Sequence, residues 1–596
     1  KVAYLMGGQI YIAKVRKDGT LGKGKKVSDI AAGIGEFKLS PDQSQVIFLS
    51  TVEGRVKTPG QIYPDLPKAE AYETETMMYR HWDHWVEEIP HSFVGTFDWD
   101  KGLGNFFDIL GSEGAEDGGV SPYELPTEPF GGLEELCWNP DGTRIAYSCR
   151  KKDGKDYAFS TDTEIYIYNI QSGECVQVPM GGGYDTAPVW SPDGSKICWI
   201  SMERDGYEAD KQRLMVAEID GMKVGTIREL SAGFKYNVAE PVWDEDSQHI
   251  WFNALTEGLQ ALYITDLKGN ITRKTGEGLW YDFTTPFFID RADGREILYT
   301  TWQSMDFPTE IVAFNTATQT GTKVTEENGH ILSQLRKHRT EARMVKTVDG
   351  KDMLTWVLYP PEFDQSKKWP AIEICLGGPQ GTLSQGWSYR WNYRLMCSQG
   401  YVVVLPNRRG TTAFGQEWCE QISGDYCGLN IQDYLCAAKA LKNEPYVGKM
   451  AACGASYGGY SVYYLCGVHG NVYDAFIAHA GIFNQEHMYM TTEEMWFPTW
   501  DNGGAPWDNN PTALRHYANS PHKLIGNWHT PLLVIHGGSD FRVPYDQGMA
   551  AYNCAQMMGV PSELIVFPNE NHWILKPQNA LFWHRSYFGW LDRWLK

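Results

Sequence analysis

The chain has no apolar run of 18 residues, no Cys-x-x-Cys pair and no excess of basic side chains. The first absence excludes a predicted membrane-spanning helix, because about 20 consecutive apolar residues are needed to cross a bilayer. The second leaves the twelve cysteines without the spacing of a metal site. The formal net charge of −21 argues against nucleic acids and anionic membranes as partners.

The sequence does not fix how the cysteines pair. Cys137 and Cys149 are 12 residues apart on neighbouring predicted strands, and Cys419 and Cys427 are close in sequence, so either pair could form a disulfide. A buried free thiol is the alternative, and it is favoured for the cysteines inside apolar stretches: Cys198, Cys375 and Cys453. The redox compartment therefore stays open.

Aromatic residues are plentiful, with 23 Trp and 33 Tyr, and the N-terminal half of the chain repeats. Each repeat is an apolar strand, a turn rich in Pro, Asp and Gly, and an alternating strand: 37–50, 136–149, 188–201, 241–254 and 286–300. The turn aspartates 141, 193, 246 and 293 follow one another at intervals of 52, 53 and 47 residues. A repeated unit of about that length predicts the four-stranded blades of a β-propeller.

Six blades are at least partly present in this pattern. Residues 1–5 resemble the strand that should follow such a turn, so the first blade is expected to be incomplete. We predict a seven-bladed propeller whose seventh blade is completed by missing or irregular sequence.

An insertion interrupts the second repeat between residues 51 and 91. Its apolar residues are spaced by 4, 3 and 4 positions, which predicts a helix near 68–90: Met78, Trp82, Trp85 and Ile89. The segment ends in Glu87 and Glu88, which are either a solvated helix end or a carboxylate pair for a substrate ammonium group. The acidic stretch 113–117 is interpreted as a solvated loop.

The periodicity changes after about residue 330. Apolar strands then alternate with helical patterns such as 430–441, up to an amphipathic segment at the end of the sequence. This alternation predicts a doubly wound sheet. For the 596 residues we therefore predict a β-propeller over 1–330, with the helical insertion near 68–90, and an α/β-hydrolase domain over 331–596.

The stretch KMAACGASYGGYSV (449–462) places Ser456 between a short apolar strand and a helical pattern. The surrounding Gly-x-Ser-x-Gly pattern is typical of a nucleophile elbow, in which small neighbours are needed because the sharp turn leaves no room for Cβ atoms. A glycine-rich turn without chemistry is the alternative interpretation. The residues that follow in the chain favour the elbow.

Asp540 and His572 each follow a predicted apolar strand, in the order Ser, Asp, His that is found in α/β-hydrolases. Because the carboxyl ends of parallel strands lie side by side, we expect the three side chains to meet. A third strand ends in Gly377-Gly378-Pro379 before the elbow. Its position predicts an oxyanion loop, with the backbone N–H groups of Gly378 and Tyr457 as donors.

The motifs GASYGG, GGSDFRVP, PNENHW, LGGP and PNRRGTTAFGQ together resemble those of the prolyl oligopeptidase family of serine peptidases. RHWDHW and TTEEMWFPTW most resemble the bacterial and fungal dipeptidyl-peptidase V group. The resemblance implies that Ser456 is the nucleophile, His572 the general acid–base and Asp540 its orienting partner. Leu376 departs from the tyrosine or histidine of many members, so two backbone donors must serve the oxyanion.

The resemblance also implies substrate-binding residues. Arg542 matches an arginine that some members use on a substrate carbonyl, although a surface ion pair is its alternative. Glu87 and Glu88 would bind a free amine, and Trp496 and Phe497 would line an apolar pocket for the residue before the cleaved bond. The last two could equally be core residues.

A serine exopeptidase that releases dipeptides from the free N-terminus of oligopeptides, through an acyl-enzyme on Ser456, is the predicted function. An acylaminoacyl-peptidase, an oligopeptidase or an esterase with the same three residues is the alternative, and a propeller-based binding protein is another. The expected substrates are short unfolded peptides, with no metal, cofactor or nucleic acid. The resemblance implies a periplasmic or secreted location and allows a homodimer.

Overall fold

Two kinds of β-sheet occupy successive parts of the chain in the computed structural model, which describes residues 1–115 and 118–596. Six small sheets of three to five strands come first, together with a two-stranded hairpin, and one eight-stranded sheet follows them. Residues 116 and 117, at the end of the predicted acidic loop, lie outside the described residues.

The six small sheets are antiparallel, and their strands follow chain order, as in propeller blades. They are β1 (Val2–Met6), β2 (Gln9–Ala13) and β3 (Lys25–Lys26); β4 (Phe37–Leu39), β5 (Gln45–Glu53), β8 (Glu88–Asp98) and β9 (Gly102–Asp108); β10 (Leu136–Trp138), β11 (Arg144–Cys149), β12 (Glu164–Asn169) and β13 (Cys175–Gln177); β14 (Asp185–Trp190), β15 (Lys196–Ser201), β16 (Arg213–Asp220) and β17 (Lys223–Glu229); β18 (Ala239–Trp243), β19 (His249–Thr256), β20 (Leu259–Asp266) and β21 (Ile271–Arg273); β22 (Asp282–Phe283), β23 (Phe288–Asp290), β24 (Ile297–Ser304), β25 (Phe307–Asn315) and β26 (Thr320–Lys323).

The aspartate turns that identified the repeats join the first two strands of a blade. In β14–β15, for example, Asp193 accepts hydrogen bonds from the Ser191 hydroxyl at 2.6 Å and from the Ser195 N–H at 3.0 Å. The propeller prediction is confirmed, and the first of the six blades has three strands. The expected seventh blade is not among the sheets of the described residues.

The helix predicted near 68–90 was wrong. Within this segment, all of which is described, the structure has a two-stranded hairpin of β6 (Arg80–His81) and β7 (His84–Trp85), after a short helix α1 (Pro59–Ile62). Met78 and Trp82 have positive φ angles of 58° and 45°, which interrupt a helix. The helical spacing misled because these side chains are buried by tertiary contacts rather than along one helix face.

The eight-stranded sheet has the order β27-β28-β30-β29-β31-β32-β33-β34, and it is parallel from β30 onward. Its strands are β27 (Arg339–Lys346), β28 (Asp352–Tyr359), β29 (Trp369–Cys375), β30 (Val402–Pro406), β31 (Val447–Ala455), β32 (Ala475–His479), β33 (Leu532–Gly537) and β34 (Ser562–Phe567).

Helices cover the sheet, and an apolar cluster lies on each face. After α2 (Gly154–Ala158) in the propeller, the helices are α3 (Gly329–Leu332), α4 (Tyr393–Ser398), α5 (Gln416–Glu420), α6 (Leu429–Lys442), α7 (Tyr457–Val468), α8 (Gln485–Thr491), α9 (Trp496–Asp501), α10 (Pro511–Ala518), α11 (Asp546–Met557) and α12 (Pro577–Leu595). The α/β-hydrolase prediction is confirmed. None of these helices is long and apolar enough to span a bilayer.

The propeller and the hydrolase domain touch around the ends of the parallel strands. The N–H of Phe541 donates to the carbonyl of Trp82 at 3.0 Å, and the amide of Asn571 donates to Asp83 at 2.7 Å. The hairpin β6–β7 therefore packs against the loops that carry Asp540 and His572.

All twelve cysteines are free thiols, so neither suggested disulfide is formed. Cys137 faces Ala146 across β10 and β11, whereas Cys149 lies three positions further along β11 and faces Glu164. Cys419 is buried in α5, and burial raises the pKa of its thiol to about 12.

Candidate active site

Ser456 occupies the turn between β31 and α7 with φ 59° and ψ −122°, a conformation that residues other than glycine rarely adopt. The glycines around it are required by close packing. A Cβ atom on Gly458 would lie 2.1 Å from the carbonyl oxygen of Cys375, and one on Gly454 would lie 2.4 Å from the carbonyl oxygen of Gly458. The chain therefore forms the predicted sharp turn only with these small residues.

Replacing Gly458 with alanine is expected to lower the free energy of unfolding by roughly 1–3 kcal/mol, because the new methyl group overlaps the backbone of β29. Gly589→Ala in α12 is the matched control, since its Cβ would meet nothing within 4 Å. There the higher helix propensity of alanine should raise stability by about 0.5–1 kcal/mol. Urea denaturation of both variants measures the two changes in the free energy of unfolding, which should have opposite signs. Equal changes would contradict the packing argument.

Asp540 and His572 are brought into contact by the loops after β33 and β34. Nδ1 of His572 lies 2.6 Å from Oδ2 of Asp540, and the other carboxylate oxygen accepts the N–H of Val543 at 2.9 Å. Burial opposes ionisation of Asp540, but His572 and His536 bring its pKa well below the ordinary value. A buried, ionised carboxylate of this kind holds an imidazole with its proton on Nδ1.

A second buried histidine, His479, supports the backbone of His572 from the end of β32. The indole N–H of Trp583 donates to Nδ1 of His479 at 3.0 Å, which leaves Nε2–H to donate to the carbonyl of His572 at 3.3 Å. Burial lowers the pKa of His479 to about 3, so it is neutral near pH 7. The sequence gave no indication of this contact, because a histidine at a strand end has no specific pattern.

The predicted oxyanion loop follows β29 and lies against the elbow. Gly378 has φ 119°, a backbone conformation that favours glycine, and a Cβ on Gly377 would lie 2.9 Å from the carbonyl oxygen of Ala455. Tyr457 is the first residue of α7, where the N–H groups of a helix have no partner within the helix. Gly377 and Gly378 line the same cavity as Ser456.

That cavity has a volume of about 690 Å³ and lies between the propeller and the hydrolase domain. Ser456, His572, Arg542 and Phe497 line it, as does Trp82 from the hairpin β6–β7. The Trp82 ring packs edge-on against the imidazole of His572, with 5.4 Å between the ring centroids. The insertion of the second blade thus forms part of the cavity wall, although not as a helix.

Glu87 and Glu88, the carboxylate pair predicted for an amine, do not line this cavity, which corrects that prediction. Glu88 is exposed on β8 and accepts a hydrogen bond from the Thr51 hydroxyl at 2.6 Å. The negative charge of Glu87 raises the pKa of the Tyr72 hydroxyl. The physical reason is the missing helix, because the segment enters β8 and directs both residues along the blade.

The carboxylates in the cavity wall are instead Glu208, Glu494 and Asp210, of which Asp210 is paired with Arg204. Oε1 of Glu208 accepts the indole N–H of Trp496 at 2.8 Å and the hydroxyl of Tyr184 at 3.3 Å. Trp496 therefore does not line the cavity as predicted; it is buried behind it and orients Glu208. Within the described part of the chain, Glu208 forms no ion pair with Lys, Arg or His.

Arg542, by contrast, is held by two carboxylates. Its guanidinium donates to Glu493 at 2.8 Å and lies 3.0 Å from Glu494. Burial raises the pKa of Glu493, but Arg542 and His81 bring it below the ordinary value. Burial, opposed by Arg542, leaves the pKa of Glu494 well above the ordinary value, with Glu208 adding to the shift.

One feature of the sequence points to Glu208, namely the long connection in which it lies. The connection between β15 and β16 runs over residues 202–212 and is longer than the tight turn of β19–β20, which spans residues 257 and 258. A long propeller loop that carries charged residues is a place to look for binding groups.

Among the described residues, no group of three or more His, Cys, Asp or Glu side chains could hold a metal ion.

The profile of the prolyl oligopeptidase family matches residues 387–596. Dipeptidyl-peptidase 5 of Porphyromonas gingivalis is 48% identical over 568 residues, which cover 95% of this chain and 80% of that protein. Dipeptidyl-peptidase 5 of Porphyromonas endodontalis is 43% identical over 609 residues, which cover 100% and 84%.

Solved structures share the fold at lower identity. The acylaminoacyl peptidase of Pyrococcus horikoshii superposes with a TM-score of 0.76 at 19% identity, over 99% of this chain and 85% of that one. Dipeptidyl peptidase 4 of Porphyromonas gingivalis gives 0.62 at 17% identity, over 100% and 81%.

Proposed function

Because the chain belongs to the prolyl oligopeptidase family and is a serine-type peptidase, we propose that it releases dipeptides from the free N-terminus of peptides. One observation carries the proposal. Glu208, a half-buried carboxylate without a cationic partner in the described residues, lines the same cavity as Ser456. An ammonium group bound there would fix how far the N-terminus of a substrate extends from the nucleophile.

In the proposed reaction, the Ser456 hydroxyl attacks the carbonyl carbon of the second residue while His572 accepts its proton. The tetrahedral oxyanion is stabilised by the N–H groups of Gly378 and Tyr457. His572 then gives the proton to the leaving amine. Water, deprotonated by His572, releases the dipeptide from Ser456. Asp540 orients the imidazole and stabilises its charged form.

For the amine, we propose Glu208 as the main ligand and Glu494 as its neighbour. The indole of Trp496 and the phenol of Tyr184 donate to one oxygen of Glu208, which leaves the other oxygen for an ammonium group. Arg542 lies 3.0 Å from Glu494 and lines the same cavity, where its N–H groups would donate to a substrate carbonyl. Phe497 is the candidate apolar wall.

Glu208→Gln is expected to lower kcat/KM for a free-amine dipeptidyl anilide at least about 30-fold, since it removes one partner of a largely desolvated charge pair. The N-acetylated anilide should be a poor substrate for both proteins and change little. Glu88→Gln is the matched control, because Glu88 is exposed on β8 outside the cavity. A steady-state comparison of the three proteins with both substrates measures these effects.

The same comparison decides against the proposal if the wild-type protein cleaves the acetylated anilide as well as the free one. The protein would then be an acylaminoacyl-peptidase, an oligopeptidase or an esterase. Within the proposed function, short unfolded peptides are the substrates, because only they enter a cavity enclosed by two domains. Periplasmic or secreted location and a homodimer stay predictions, which cell fractionation and light scattering would test.

A further inference from the structure

Arg408 is a completely buried arginine that follows β30 and lies behind the oxyanion loop. Its three nitrogen atoms all donate to uncharged oxygens: Nε to the Tyr434 hydroxyl at 2.9 Å, Nη1 to the Arg409 carbonyl at 2.8 Å and Nη2 to the Leu376 carbonyl at 3.1 Å. Within the described residues, no carboxylate lies within 4 Å of it. Because arginine keeps its proton in proteins, a full positive charge remains there.

The neighbouring Arg409 is also buried, but its charge is neutralised by carboxylates. Its guanidinium pairs with Asp433 at 3.0 Å and also with Asp349. The carboxyl on the strand before the oxyanion loop, Glu373, does not neutralise Arg408 in the same way. Burial raises the pKa of Glu373 to about 8, so this carboxyl is uncharged near pH 7.

Arg408 contacts the start of the oxyanion loop directly. It donates to the carbonyl of Leu376, and the hydroxyl of Tyr434, which it also contacts, accepts the N–H of Leu376 at 2.9 Å. Both backbone groups of the residue before Gly377 and Gly378 are thereby fixed. On the other side, the guanidinium carbon lies 5.2 Å from the ring centroid of Tyr457, the residue after Ser456.

We propose that Arg408 is a positioning residue of the oxyanion site, which fixes the Leu376–Gly378 backbone and supplies an unneutralised positive charge behind it. This inference rests on the acyl transfer proposed for Ser456. In a buried environment of low polarity, a fixed charge acts on a developing oxyanion more strongly than it would in water. A negative charge appears on the substrate only in the tetrahedral state, so the charge favours that state over the bound substrate.

A purely structural role would have a different signature. Burying a charge without a partner of opposite sign costs stability, so its removal should not destabilise the fold as the loss of an ion pair does. Arg408→Gln is therefore expected to keep or raise the melting temperature. Its kcat should fall about 10- to 100-fold, while KM changes less than about threefold.

Three further variants separate charge from contact. Arg408→Lys keeps the charge and should recover most of the lost kcat. Tyr434→Phe keeps the charge but removes the hydroxyl that accepts the Leu376 N–H, so its loss of kcat should be smaller than that of Arg408→Gln. Arg409→Gln, the control, breaks a neutralised ion pair and should lower the melting temperature, with kcat of the folded protein retained.

The experiment compares these variants for turnover of a dipeptidyl anilide, for affinity toward a peptide boronic acid and for thermal unfolding. A boronate forms a negatively charged tetrahedral adduct with serine, so its affinity should fall by the same factor as kcat in Arg408→Gln. Unchanged kcat and boronate affinity would overturn the inference, as would a fall in kcat that follows the melting temperature. If the wild-type protein itself neither turns over nor binds the boronate, the proposed function fails instead.

Discussion

Ser456→Ala is expected to lower kcat for a dipeptidyl anilide by a factor of about 10⁴ to 10⁶, with the fold intact. The effect is large because no other hydroxyl occupies the turn between β31 and α7 that presents Ser456 to the cavity. Alanine retains Cβ and leaves the contacts of Gly454 and Gly458 unchanged. Stability should therefore differ from wild type by no more than about 1 kcal/mol.

Ser461→Ala is the matched control for this substitution. Ser461 lies in the same helix, α7, and its hydroxyl is buried, but it donates to the carbonyl of Tyr457 at 3.1 Å within the helix. Its loss should leave kcat close to that of wild type. Residual turnover above about 1% of wild type in Ser456→Ala, from protein free of contaminating peptidase, would show that another group is the nucleophile.

Asp540→Asn should have the second largest effect, a loss of about 10⁴ in kcat near pH 7. Oδ2 of Asp540 accepts the Nδ1 proton of His572 at 2.6 Å. An asparagine nitrogen in that place would donate instead, and the imidazole would then carry its proton on Nε2, where it cannot accept one from Ser456. Steady-state kinetics measures the loss, and Asp364→Asn is the control, because the Asp364 carboxylate contacts only its chain neighbours Ser366 and Lys367.

The same substitution has a consequence for stability with a definite sign. The pKa of Asp540 is lowered in the folded protein, mainly by His572 once burial is overcome. The ionised carboxylate therefore contributes stability that is fully present above the unfolded pKa of about 3.9 and is lost as pH falls through the folded value. Asp540→Asn should be less stable than wild type at pH 7, with a difference that shrinks in strong acid.

For the activity, a kcat of Asp540→Asn within tenfold of wild type would contradict the proposed role of Asp540.

The sequence predicted the parts of the site that depend on chain order and strand ends. Asp540 and His572 follow apolar strands, and parallel strands end at one edge of a sheet, so their contact could be expected before the structure was known. The 52- and 53-residue intervals between turn aspartates likewise predicted the propeller. Both signals are local patterns whose spatial meaning is fixed by the geometry of sheets.

The proposed amine site could not be predicted in this way, because its residues come from separate loops. Glu208 belongs to a propeller hairpin and Glu494 to a loop before α9, 286 positions apart, and only the packing of the two domains brings them to one cavity. Trp82 shows the opposite error. Its spacing from Met78 and Trp85 is helical, but its burial results from contact with Phe130, His572 and Trp573.

The most direct test of the account is to identify the products formed from one unstructured decapeptide, offered with a free or an acetylated N-terminus. Mass spectrometry over time should show the free peptide losing two residues at each step, with the acetylated peptide intact. At low conversion the wild-type protein should release only the N-terminal dipeptide, and Ser456→Ala should give no product. Cleavage of the acetylated peptide, or release of single residues, would contradict a dipeptidyl peptidase with an amine site at Glu208.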